Sequence, residues 1–247
     1  MKGKQVVLGH IGKVKVAALL VDGILQDVLV EDLNRLPLGS VLRAVVDRPV
    51  KGIGGVILRL PNGTGFLKKA KGLAPGQTLT VQTSGFAEED KADPVTQRIL
   101  FKSRYAIVTP DQPGLNISRQ IASDDLRDTL TLLAKSAMEG SDMGLIIRSA
   151  AAAADLDAIA EDIHTMRTTA ETIAAETGQD PEVLLEGDDP HLQAWREWSD
   201  VTDVLTADDD LEGSGALDQI EAAQQAWVPL GTGGMFIERT RAMITVD

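Results

Sequence analysis

The sequence predicts an α+β protein in which a small β-barrel is inserted into a larger body of sheet and helices. Three observations predict it. Residues 5–31 hold three consecutive strand-type segments separated by tight turns. Residues 36–104 hold five more short strand-type segments, punctuated by Gly, Pro and Asn. After residue 105, apolar strand-type segments alternate with segments of helical period.

In order, the opening strands are Gln5–His10, Lys13–Val21 and Ile24–Glu31, turning at Gly12 and at Asp22-Gly23. Asp-Gly is a strong hairpin signal, because it tolerates the left-handed backbone of a two-residue turn. Val14, Val16 and Ala18 alternate with Lys13 and Lys15, which keeps one face wet.

The inserted module predicts strands at Val41–Val46, Gly54–Leu60, Gly65–Lys69, Gln77–Gln82 and Arg98–Ser103, with Pro61-Asn62-Gly63 at a turn. So many short strands in so short a stretch, with glycines for the bends, fit a barrel of the OB type. Phe66 sits beside Lys68, Lys69 and Lys71, with Arg59 on the preceding strand and Lys102 at the end of the module. On an OB barrel, a ring among lysines can stack one base and meet backbone phosphates. The alternative is that Phe66 is core and the lysines are ordinary surface. Glu88–Pro94 reads as a charged, mobile loop.

The chain then predicts a strand at Tyr105–Thr109 and a turn at 110–114. A helix follows, capped by Ser123 with Asp124 and Asp125 in its first turn and a stripe of Leu126, Leu130, Leu133 and Ala134. After a strand at 144–148 comes a long helix, Ala151–Thr177, closed by Gly178. His164 reads as a solvated helix residue, without a partner at metal-ligand spacing. Glu182–Leu185 predicts a short strand, Leu192–Trp198 an amphipathic turn with Trp195 and Trp198 in core or interface, and Val201–Thr206 a strand. An acidic loop at 208–212, a helix at Leu217–Trp227 and two strands after Gly233-Gly234 complete the chain, which ends on Asp247.

Composition narrows the function. With 247 residues, 43% of them hydrophobic, the chain buries a core of one or two domains. It has no cysteine, which removes disulfides and thiolate metal sites and makes a reducing compartment the default. No apolar run reaches membrane-span length and the start lacks a signal-peptide core, so a cytoplasmic, non-membrane protein is expected. The net charge of −13 divides unevenly: residues 1–105 carry 16 Lys/Arg against 9 Asp/Glu, and residues 106–247 carry 8 against 28. Any nucleic-acid contact therefore concentrates in the first part.

The segment Ser141–Ala150 carries the most chemistry. A buried strand, Leu145-Ile146-Ile147, delivers Arg148 and Ser149 at its carboxyl end, and an alanine run follows. A guanidinium fork, a hydroxyl and a helix amino terminus in one corner suit a phosphate. The alternative is an arginine that caps the strand and pairs with a surface carboxylate.

These segments, in this order, resemble the ribonuclease E/G family. The resemblance rests on Tyr105…Pro110, Ile117-Ser118-Arg119, Met143–Ala150 and Gly233…Asp247, with the barrel inserted between the opening strands and Tyr105. It implies a Mg²⁺-dependent, single-strand-specific endoribonuclease of RNA processing and decay. The implied fold is a ribonuclease-H-like domain (residues 1–33 and 178–247) interrupted by an OB barrel of the S-one type (34–102) and a 5′-sensor region (103–177). It further implies that Arg148 and Ser149 grip an RNA 5′-monophosphate, that Ser103 and Ile107 close the pocket under the terminal base, and that Arg119 lies near the substrate path. Asp247 would be the first of two aspartates holding the catalytic Mg²⁺.

The sequence departs from the family pattern at several points. Ser103 stands where glycine is usual, Ser149 where threonine is usual, and Gly55-Val56-Ile57-Leu58 where a second stacking ring is usual. The second aspartate and a Cys-Pro-x-Cys zinc link are expected beyond residue 247. This chain alone is therefore expected to be inactive, to need no metal of its own and to be a monomer that binds single-stranded RNA. The competing reading is a non-catalytic RNA-binding or interaction module that kept the scaffold.

Overall fold

The computed structural model describes residues 3–50, 52, 54–70, 72–88, 91–207 and 209–247. Lys71 and part of the charged loop at 88–94 lie outside the described residues. The chain forms two units, residues 1–31 with 200–247 and residues 32–199.

In the first unit, Lys4–Ile11, Val14–Val21 and Ile24–Val30 form an antiparallel meander, as the turn residues require. Asp22 takes a positive φ of 53° beside Gly23 at 82°. Asp203–Leu205 joins the free edge of the first strand in parallel register. Two short helices, Asp210–Gly213 and Ala216–Ala223, cover one face and bury Leu211, Ala216 and Ile220 against Val7, Val16, Ala18 and Leu20. The expected acidic loop is thus partly helical, because Leu211 caps the sheet. Its side chain occupies the space a Cβ on Gly9 would need, 2.7 Å from its Cδ1. The Trp227–Leu230, Gly233–Arg239 and Ile244–Val246 strands form a separate antiparallel sheet.

The second unit contains a closed five-stranded barrel. Val41–Val50, Gly55–Leu60, Gly63–Lys68, Asp93–Thr96 and Thr78–Thr83 follow one another around it, and the last pairs back to the first. Gly65–Leu67 and Asp93–Val95 pair in parallel; the rest is antiparallel. This closure is compatible with an OB fold. The fifth strand is Asp93–Thr96, not Arg98–Ser103 as the sequence suggests. Charge masks it, yet Val95 enters the barrel core, whereas Phe101 is taken by a different core.

Val41–Val46 is buried on both faces, which explains its unbroken apolar reading. Leu42, Ala44 and Val46 face the barrel core, while Val41 joins the neighbouring core. Glu182–Leu185 extends the sheet along this strand.

That neighbouring core lies under a second sheet, in the order Leu115–Ile117, Gly144–Ile147, Ala106–Thr109, Phe101–Lys102. The Asp124–Ala137 and Leu156–Ala174 helices pack on it through Leu130, Ala134, Ile159, Ile163, Ala170 and Ile173. Ser123 caps the first helix as expected, accepting from the Leu126 amide at 3.3 Å.

The long helix starts later than the alanine run suggests. Residues Ser149–Ala153 form only a 3-10 turn, and Asp155 caps the α-helix by accepting from the Asp157 amide at 2.8 Å. A capping carboxylate directly after the alanine run competes for the backbone and restarts the helix there. The helix also ends before Gly178. That glycine instead admits the Arg43 side chain, 2.7 Å from Nη2 to the place of a Cβ. No helix of the described residues is long and apolar enough to cross a membrane.

Candidate functional site

Arg148 follows the Gly144–Ile147 strand, and Arg119 lies two residues beyond Leu115–Ile117, the parallel neighbour of that strand. The Ser118 amide donates to the Ile147 carbonyl at 2.9 Å, extending the pairing towards the two arginines. Two basic residues thus follow the carboxyl ends of the one adjacent parallel pair in this mixed sheet. Arg119 is exposed and makes no ion pair among the described residues.

Arg148 is engaged. Its Nη1 donates to the Ser103 carbonyl at 2.6 Å and its Nη2 to Glu197 Oε2 at 2.5 Å. The Arg148 side chain is 18% exposed. Glu197 also accepts from Arg196 Nε through its other oxygen at 2.9 Å, and Arg196 Nη1 reaches Asp188. This is the carboxylate pairing that the sequence left open, although the partner lies 49 residues away.

The other predicted residues divide around this pair. Ser149 opens the 3-10 turn, half-buried, and its hydroxyl makes no hydrogen bond among the described residues. A single 3-10 turn carries little of the dipole that an α-helix start would supply. The expected helix-terminus contribution to anion binding is therefore largely missing. Ser103 is buried, and its hydroxyl donates to Asp162 Oδ2 at 2.5 Å and to the Ala106 carbonyl at 3.1 Å. Only the Ser103 carbonyl meets Arg148. Ile107 pairs with Ile146 and Lys102 across three strands and is half-buried on the sheet face opposite Ala106 and Val108.

Three residues missed by sequence reasoning complete the corner: Glu197, Arg196 and Trp195. Trp195 is not core; it is 54% exposed, with the Arg104 guanidinium 4.9 Å from its ring centroid. Arg104 Nη1 also donates to the Trp195 carbonyl. The Pro190–Glu197 helix is therefore anchored by its carboxyl end on Arg104 and Arg148, as cations favour. Its sequence signals were Asp189 before Pro190, a cap-and-N1 pair. Nothing local announced where the helix would dock.

The electrostatics of Glu197 follow. Burial alone pushes its carboxyl up, but Arg148, then Arg196, outweigh it and hold the group below its ordinary 4.5. A carboxyl depressed in the folded state contributes stability above the unfolded value and loses it as pH falls through the folded one. Stability should therefore drop on acidification below about 4.5. Glu197→Gln should flatten that part of the curve, as read by thermal unfolding across pH.

On the barrel, Phe66 lies on the outer face, between inward Gly65 and Leu67, so it is not core. Its ring covers Gly55, where a Cβ would come within 2.6 Å of Cε2. Cross-strand register aligns Arg59 with Thr64, Ile57 with Phe66 and Gly55 with Lys68, so Arg59, Phe66 and Lys68 share this face. Lys68 and Lys69 are exposed, and neither they nor Arg59 make an ion pair among the described residues. Lys102 is exposed and lines a cavity of about 710 Å³ together with Arg98, Arg196 and Glu197.

Asp247 is exposed in the first unit, its backbone exchanging hydrogen bonds with Phe236 at 2.8 and 2.9 Å. Among the described residues no group of three or more His, Asp or Glu could hold a metal ion. One carboxylate does not make a Mg²⁺ site, which needs further oxygen ligands.

Comparisons with known proteins converge on one family. The Ribonuclease E/G family model matches residues 101–212, which contain Ser103, Arg119, Arg148 and Glu197. A Ribonuclease E from Nostoc sp. is 27% identical over 209 residues, 77% of this chain and 30% of the relative. A Ribonuclease E from Synechocystis sp. is 31% identical over 123 residues, 49% of this chain and 18% of the relative. The chain thus spans less than a third of the length of these relatives. The whole corner lies inside the matched segment, and over that segment the chain is similar to the ribonuclease E/G family.

Proposed function

We propose that this chain is the RNA-recognising part of a ribonuclease E-like endoribonuclease that acts in RNA processing and decay. The barrel takes single-stranded RNA on its Arg59, Phe66, Lys68 and Lys69 face, with Lys102 and Arg119 along the path. The corner of Arg148 and Ser149, with Ser103 and Ile107 beside it, receives a 5′-monophosphate. The observation that carries this reading is the pair of arginines, Arg119 and Arg148, at the carboxyl ends of adjacent parallel strands inside the family-matching segment. Residues 1–33 and 178–247 are assigned to a ribonuclease-H-like domain, a reading that the antiparallel meander with its parallel fourth strand supports for residues 4–30 and 203–205. Residues 178–199 pack within the second unit.

Hydrolysis itself needs a Mg²⁺ ion to activate water. Asp247 contributes at most one ligand, so the residues present do not fit a complete metal site, and no catalytic step is assigned to this chain. Its own residues bind, orient and select RNA.

The test is binding of RNA to the 247-residue chain without metal. A 5′-monophosphorylated oligoribonucleotide should bind more tightly than its 5′-triphosphorylated form, and Arg148→Ala should remove the difference. Phe66→Ala should weaken both equally. Equal binding of both RNAs by the unaltered chain rejects 5′ sensing. The Arg148–Glu197 pair favours a second reading, a non-catalytic RNA-binding or interaction module in which Arg148 is structural. In that case Phe66→Ala alone changes RNA affinity.

A further inference from the structure

We propose that Arg196 is a second phosphate-binding residue of the Arg148 corner, and that the Glu197 carboxylate is a resident anion which a terminal phosphate monoester displaces. The inference rests on the 5′-phosphate reading and adds to it a second guanidinium and an internal competitor. One carboxylate bridges two arginines: Oε2 receives Arg148 Nη2 at 2.5 Å and Oε1 receives Arg196 Nε at 2.9 Å. Two guanidinia converging on separate oxygens of one anion is also the arrangement that holds a phosphate.

The remaining contacts set up both forks. Arg148 is steadied by the Ser103 carbonyl at 2.6 Å, and Arg196 by Asp188. The two side chains are 18% and 15% exposed, against 32% for Glu197, so the carboxylate is more accessible than either arginine.

Glu197 also stands in an unfavourable place for a carboxylate. It is the last residue of the Pro190–Glu197 helix, where the helix dipole disfavours negative charge. The two arginines hold it there. A phosphate monoester carries about −1.5 to −2 at neutral pH and offers three acceptor oxygens, so it competes for both forks. Arg196 and Glu197 line the 710 Å³ cavity, which also carries Lys102 and Arg98. Glu186 and Asp188 line it as well, so its charge is mixed, and it gives the displaced carboxylate room to turn.

The experiment uses 3′-labelled single-stranded oligoribonucleotides bearing either a 5′-monophosphate or a 5′-hydroxyl. Binding to the 247-residue chain is followed by fluorescence anisotropy in chelator. Glu197→Gln removes the competing charge and should raise the preference for the 5′-monophosphate about tenfold over the unaltered chain. Adding Arg196→Ala to Glu197→Gln should cancel that gain; a gain that persists overturns the role of Arg196.

An unchanged preference in Glu197→Gln, with Arg148→Ala still abolishing it, overturns the inference and leaves the 5′-sensing reading standing. No preference in either the unaltered chain or Glu197→Gln overturns both. Should Glu197→Gln fold poorly, Glu197→Asp keeps the charge on a shorter arm. Its preference should rise about threefold, and a preference equal to that of the unaltered chain overturns the inference.

Discussion

Gly144→Ala is expected to destabilise the second unit by about 3 kcal/mol or more, more than any single substitution at the arginine corner. Gly144 opens the strand that ends in Arg148 and pairs with Thr109. The turn after Thr109 folds back over it: Thr109 Oγ1 donates to the Gln112 carbonyl at 2.9 Å, and the Leu145 amide donates to the Gly114 carbonyl at 2.9 Å. A Cβ at 144 would overlap the Gln112 carbonyl oxygen and Thr109 Oγ1, with the Gln112 carbonyl carbon at 2.9 Å. Backbone on one side and a hydrogen-bonded hydroxyl on the other cannot yield as a flexible side chain would. The melting temperature should fall by roughly 10 °C, at about 2–4 °C per kcal/mol for a chain of this size. Gly213→Ala is the control, because nothing lies within 4 Å of its added methyl group. A Gly144→Ala protein that melts with that control would show that the 109–114 turn moves aside freely.

Arg43→Ala should cost about 2–3 kcal/mol, through a buried charge that ties the barrel to the segment after the long helix. Its side chain is 7% exposed within the first barrel strand. Nη2 donates to Glu176 at 2.9 Å and Nη1 to Glu182 at 2.6 Å, with the Asp180 carbonyl at 3.4 Å. The two carboxylates are 46% and 62% exposed and regain water when the arginine is removed, which keeps the cost below that of a fully buried network. Part of the loss is the packing of the guanidinium itself, which lies where only glycine fits at position 178. Arg43→Lys should recover less than half, since one ammonium cannot reproduce a fork spanning two carboxylates. Denaturant unfolding reads the effect as a lower midpoint with an unchanged slope. An Arg43→Ala midpoint equal to that of the unaltered chain would mean that the two glutamates contribute nothing to docking the 176–182 segment.

Both effects arise where close approach decides stability, and neither is visible in local sequence. Gly144 reads as an ordinary residue after a turn, and Arg43 as one charge in an apolar run. The same holds for the corner. Arg148 announces itself at the end of a strand, but its partner Glu197 sits on a helix whose docking no nearby residue reports. Trp195 reads as core or interface because large aromatics usually are, and it stands 54% exposed with the Arg104 guanidinium over its ring.

The sequence by itself determined the order and kind of most elements: the Asp22-Gly23 hairpin, the Ser123 cap, the buried Leu145–Ile147 strand and the glycine-bent barrel strands. These follow from backbone preferences and side-chain periods that act over a few residues. Tertiary structure alone decided that Asp93–Thr96 closes the barrel, that Phe101 joins the neighbouring core, and that Glu197 occupies Arg148. Those outcomes depend on which distant groups share one core or one charge, and such choices are made only when the chain has packed.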